Sequence, residues 1–117
     1  MSGGGRRFQV TTDRVDGGVV VAAAGEIDMS TSPQLRAALR DPGSAAPAVV
    51  LDLREVTFMD SSGLGVIVGQ QKRAREEGYR FSVAVAGAPE VRRILELSGL
   101  VGVLHVVDTP DDALAAG

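Results

Sequence analysis

Asp60-Ser61-Ser62-Gly63 sets two hydroxyls directly behind a carboxylate. Serines in such a place can do three things. They can cap a helix, with an oxygen turned toward its first free N–H groups. They can take up a phosphate, because the dipole and the unpaired N–H groups of a helix start favour negative charge. They can act as nucleophiles if a base stands beside them. The third use finds little support. The chain has one histidine, His105, far along the sequence on another predicted strand. No Gly-x-Ser-x-Gly elbow surrounds Ser61, which follows Met59 and Asp60. Gly63 and Gly65 form no phosphate-binding loop, since no Gly-Lys-Ser or Gly-Lys-Thr follows them. There is no cysteine, and His105 has no histidine or carboxylate at ligand spacing, so a metal site is not expected. The reading is of a chain with no catalytic residues, no metal and no cofactor of its own.

The flanking elements place the two serines. Ala48-Val49-Val50-Leu51-Asp52-Leu53 is short, apolar and β-branched, and follows Pro47, which reads as a buried strand. After the serines, Leu64, Ile67 and Val68 recur at helical spacing, with Gln70, Lys72, Arg73 and Arg75 around them. The segment is therefore a turn from a core strand into a helix from about Ser62 to Glu77, stopped by Gly78. Ser61 or Ser62 is expected to cap it. Ser61, at the junction, is the freer of the two, and Ser62 is the better placed for a structural hydroxyl.

Elsewhere the pattern alternates strands and helices. Phe8 to Val15 and Val19 to Ala24 read as a hairpin about Asp16-Gly17-Gly18. Gly25-Glu26-Ile27-Asp28 follows, and Ser32-Pro33 reads as the N-cap and first residue of a helix ended by Asp41-Pro42-Gly43. Asp28 suits an Asx turn or a cap. A strand is expected from Phe81 to Ala86, a helix from Pro89, a strand from Val103 to Val107, and a short helix from Thr109. The order β-β-α-β-α-β-α-β-α implies an α/β fold, a mixed sheet with helices packed on it. Residues 1–7 read as a flexible Gly-rich arm and 8–117 as one domain.

Composition narrows the classes. The chain has 117 residues and is 44% hydrophobic, enough for one core. A net charge of −3 argues against nucleic-acid partners and a polybasic membrane surface. No apolar run approaches a bilayer span of about 20 residues, so a cytoplasmic location is expected.

Gly25-Glu26-Ile27-Asp28, Val50-Leu51-Asp52-Leu53, Phe58-Met59-Asp60-Ser61-Ser62-Gly63-Leu64-Gly65 and Leu97-Ser98-Gly99-Leu100 together resemble the anti-sigma factor antagonists of the STAS family. These are the anti-anti-sigma proteins of bacterial sporulation and stress regulation. The resemblance covers roughly residues 8 to 114. It implies a protein that binds an anti-sigma factor, itself a serine kinase, and so frees a sigma factor. It implies that the kinase phosphorylates the first serine of the motif, here Ser61, that the complex then separates, and that a separate phosphatase resets it. It also implies a partner-binding surface made of Asp28, Asp60, Ser61, Ser62, Gly63, Leu64 and Gly65. A STAS scaffold module of a larger signalling assembly is the alternative the same resemblance leaves.

Overall fold

The computed structural model describes residues 7–43 and 46–115. Of the expected N-terminal arm only Arg7 is among them. The elements are β1 (Gln9–Val15), β2 (Gly18–Ile27), α1 (Ser32–Gly43), β3 (Ala48–Met59), α2 (Ser61–Glu77), β4 (Arg80–Ala84), α3 (Pro89–Leu97), a 3₁₀ turn (Leu100–Gly102), β5 (His105–Val107) and α4 (Pro110–Ala115). This is the expected α/β order. The five strands form one sheet in chain order, with β1 antiparallel to β2 and every later pair parallel.

Alternation along the strands divides the sheet into two faces. Val19 and Val21 of β2, Val49, Leu51 and Leu53 of β3, and Val83 of β4 point to one side and are fully buried. Leu35 and Leu39 of α1, Ile67 of α2, and Val91 and Leu95 of α3 join the same core. Right-handed crossovers between strands laid down in sequence place successive helices on one face, which is where α1, α2 and α3 lie. The other face is only partly covered: α4 lays Ala113 against Val50 and Ala84.

The two strands that lead to the conspicuous residues are longer than their patterns indicated. β2 runs to Ile27 rather than Ala24, and β3 to Met59 rather than Leu53. The polar pair Arg54-Glu55 hides this continuation, because it faces solvent while Val56 and Met59 remain buried. Register irregularities between Ala22 and Ala24 and between Gly25 and Glu26 absorb the mismatch, so that Ile27 still pairs with Met59.

Three further boundaries differ. α1 starts at Ser32, which makes Ser32 its first residue rather than its cap, and it passes through Pro42 to Gly43. A proline in a last turn removes one N–H and leaves the earlier turns intact. β4 ends at Ala84 rather than Ala86. β5 begins at His105 rather than Val103, because Leu100–Gly102 wind into the 3₁₀ turn, and the N–H groups of Val103 and Leu104 donate to the Leu100 carbonyl at 3.0 and 2.9 Å.

Candidate functional site: the start of α2 and the turn after β2

Neither serine caps α2. Asp60 does, in an extended conformation (φ −106°, ψ −167°), and its Oδ1 accepts from the Ser62 N–H at 2.9 Å. The Ser62 hydroxyl also donates to this oxygen. A carboxylate is the stronger acceptor and its charge suits the positive end of the helix, so it takes the place expected of a serine. The N–H groups of Gly63 and Leu64 fall to the Asp60 carbonyl at 3.1 and 3.3 Å. Asp60 thus satisfies three of the first four helical N–H groups, and the first, that of Ser61, has no acceptor among the described residues.

The serines consequently differ. Ser62 is half-buried and its hydroxyl is engaged. Ser61 is exposed, and its hydroxyl has no hydrogen-bond partner among the described residues. Among the described residues no base is hydrogen-bonded to it: the neighbouring Asp60 carboxylate is engaged by Ser62. His105 Nδ1 lies 2.7 Å from Ser82 Oγ, across the β4–β5 pair, and Ser82 is 5% exposed. Among the described residues no group of histidines and carboxylates could hold a metal ion. What this geometry offers is a hydroxyl that another protein can reach.

Asp28 opens the turn from β2 to α1. Its Oδ1 accepts from the Ser30 hydroxyl at 2.7 Å, the Ser30 N–H at 2.9 Å and the Thr31 N–H at 3.1 Å. The Ser30 hydroxyl is the largest influence holding this carboxyl below its ordinary range; desolvation opposes it, and the two N–H groups add to it. The Asx turn foreseen for Asp28 is therefore present. Thr31 locks it from the other side, accepting from the Asp28 N–H at 2.9 Å and donating to the Glu26 carbonyl at 3.0 Å.

The two segments are joined directly. The Asp60 N–H donates to the Ile27 carbonyl at 3.2 Å, extending the parallel register in which Ile27 faces Met59. Asp28 and Asp60 each follow one member of that pair, so both lie at the C-terminal edge of the sheet, where parallel α/β units carry their binding loops. Gly63 is buried behind the serines against Met59 and Ile27. Leu64 is half-buried and packs on the core. Gly65 is exposed on the helix surface.

Two residues at this edge escaped the sequence reading. Met29 is 79% exposed between Asp28 and Ser30, and Phe58 is 46% exposed beside the buried Met59. The available signals were an apolar side chain inside a polar loop and an aromatic out of step with the buried parity of its strand. Asp52 is mid-strand in central β3, paired with Ala22 on one side and Ala84 on the other. There it holds Arg54 through two 2.9 Å bonds, and this hydrogen-bonded pairing raises the Arg54 guanidinium's pKa. Arg73 of α2 pairs with Glu77 one turn on at 2.9 Å.

Known proteins resemble this chain in sequence and fold. The family model described as "Mlab, STAS domain" matches residues 10–107. The anti-sigma F factor antagonist of Paenibacillus polymyxa is 33% identical over 109 residues, covering 92% of each chain. The crystal structure of an anti-sigma factor antagonist from Mycobacterium paratuberculosis superposes with a TM-score of 0.86 at 35% identity, covering 94% of this chain and 93% of that one. The anti-sigma factor antagonist SpoIIAA in its unphosphorylated form gives a TM-score of 0.72 at 25% identity, covering 91% and 93%. The chain belongs to the STAS domain family, among the anti-sigma factor antagonists.

Proposed function

We propose that this protein binds an anti-sigma factor that is also a serine kinase, releases a sigma factor by doing so, and is switched off when the kinase phosphorylates Ser61. The observation that carries this reading is the contrast between the serines: Ser61 exposed and unbonded among the described residues, Ser62 tied to the Asp60 cap. The acceptor must swing into a partner's active site, and only a hydroxyl without a structural task can do so without loosening α2. Asp28, Asp60, Ser61, Ser62, Gly63, Leu64 and Gly65 make up the docking edge, Ser62 and Gly63 by holding its shape. Met29 and Phe58 supply exposed apolar area of the kind that anchors interfaces.

A phosphate on Ser61 adds about −1.5 to −2 charge directly beside the Asp60 carboxylate. The Ser61 N–H and the helix dipole offset part of that repulsion, so the fold persists while the docking edge gains negative charge and changes shape. Separation of the complex follows from lost complementarity. A separate phosphatase restores the free hydroxyl. Nucleotide chemistry belongs to the partner, and the cycle runs in the cytoplasm without direct nucleic-acid contact. That SpoIIAA is described in an unphosphorylated form accords with a phosphorylation switch in that relative.

The test is a binding assay with the cognate anti-sigma kinase. Ser61→Ala is expected to bind and to stay bound when ATP is added. Ser61→Asp is expected to bind poorly, its single charge mimicking phosphate in part. Release of Ser61→Ala by ATP would overturn the reading.

A further inference from the structure

A groove runs along the C-terminal half of α2, between it and the 3₁₀ turn that leads into β5. Its wider part, about 640 Å³, is lined by Arg75, Tyr79, Arg80, Val103 and His105 among others. A narrower part of about 320 Å³ shares Gln71, Arg75, Val103 and Leu104 with it and adds Val68, Lys72 and Leu100. The two form one continuous surface.

Its charge is one-sided. Lys72, Arg75 and Arg80 line it and no carboxylate does, in a chain with more acids than bases. None of these three cations is ion-paired among the described residues. Its apolar walls are open: Val68 is 47% and Val103 57% exposed. It lies at the N-terminal ends of β4 and β5, whereas Asp28 and Ser61 follow the C-terminal ends of β2 and β3. In parallel strands these are opposite edges of the sheet, so the groove is no part of the Ser61 surface.

We infer that this groove is a second docking site, and that its occupant is an acidic amphipathic helix of a protein partner. The groove follows a helix axis, and its walls are apolar with a cationic rim. A helix with aliphatic residues on one side and Asp or Glu beside them matches both features. Pockets for small molecules enclose most of their ligand. Here the half-exposed walls leave one side of any occupant in water, as a surface helix requires. A partner held there leaves the Ser61 edge free, so both could be engaged together.

The probe is a synthetic amphipathic helix of Leu and Glu, titrated into the isotope-labelled full chain and followed by amide chemical shifts. A Leu and Lys helix of the same pattern and the single-chain amphiphile decanoate are the comparisons. Saturable shifts at Val68, Gln71, Arg75 and Val103 are expected with the Glu helix alone, weakening as salt rises. Arg75→Glu should weaken binding about tenfold, a loss of about 1.4 kcal/mol. Val103→Ser should weaken it without altering the salt dependence. Both side chains are exposed, and an unchanged thermal melt confirms that each variant is folded. Ser61→Asp should bind the probe as the wild type does, so the outcome is independent of the phosphorylation reading. Equal binding of both helices, shifts centred on Ser61, binding of decanoate but not of the Glu helix, or no saturable shift would each overturn the inference.

Discussion

Gly63 and Ile27 meet with no room for a side chain between them: a Cβ on Gly63 would lie 2.9 Å from Ile27 Cγ2 and 2.8 Å from Met59 Sδ. This close approach seats the first turn of α2 on the ends of β2 and β3. It holds the helix start close to the edge that the parallel Ile27–Met59 pairing sets for Asp28 and Asp60. Gly63→Ala should therefore cost about 1–3 kcal/mol, as overpacked sites do. Gly65, two positions on, has nothing within 4 Å of its Cβ position. Gly65→Ala should gain about 0.5–1 kcal/mol from helix propensity. Paired denaturant melts check both, and a Gly63→Ala protein as stable as the wild type would contradict the packing account.

The Asp60 cap makes a second distinction. Asp60→Ala removes the acceptor for the Ser62 N–H and should lose about 0.5–2 kcal/mol. Ser62→Ala keeps that bond and loses only the hydroxyl's donation, so its loss should be smaller. It should still be phosphorylated by the kinase. Chemical denaturation of the two variants side by side ranks them; a larger loss in Ser62→Ala would return the capping role to the serine.

The sequence made the order of elements and the location of the site legible, and the reason is local. Val49 to Leu53, and the Leu64, Ile67, Val68 spacing, announce their elements within a few residues. The true end of β3 was not legible, because Arg54 and Glu55 imitate a loop and only pairing with β2 carries the strand on to Met59. The cap was misassigned for a similar reason. Asp60, Ser61 and Ser62 are all good N-cap residues, and which one caps depends on where β3 stops. The exposure of Met29 and Phe58 is tertiary and leaves only a faint trace in the pattern.

Asp28 should give stability a pH dependence of definite sign. Its carboxyl titrates below the ordinary 3.8 in the folded chain, chiefly through the Ser30 hydroxyl. The unfolded chain therefore takes up the proton first as pH falls. The contribution is complete above 3.8 and is lost as pH drops through the lowered folded value. Asp28→Asn retains an acceptor oxygen for the turn and should flatten this part of the stability–pH curve. The same variant should weaken kinase binding if the carboxylate contacts the partner. An unchanged curve would mean that the turn does not hold the charged form.

The purified protein should incorporate no phosphate when incubated with ATP alone. Among the described residues no base is hydrogen-bonded to Ser61, His105 being held by Ser82 and Asp60 by Ser62, and no group of metal ligands exists. Radiolabel appearing on the isolated chain would contradict the assignment of all nucleotide chemistry to the partner.

The most direct test of the phosphorylation switch is to treat the protein with its cognate anti-sigma kinase and ATP, then fragment it in a mass spectrometer between Ser61 and Ser62. Phosphate on Ser61 and none on Ser62 is the result expected from an exposed, unbonded hydroxyl beside an engaged one. Phosphate on Ser62 with Ser61 unmodified would contradict it, since the kinase would then be taking the hydroxyl that the Asp60 cap holds.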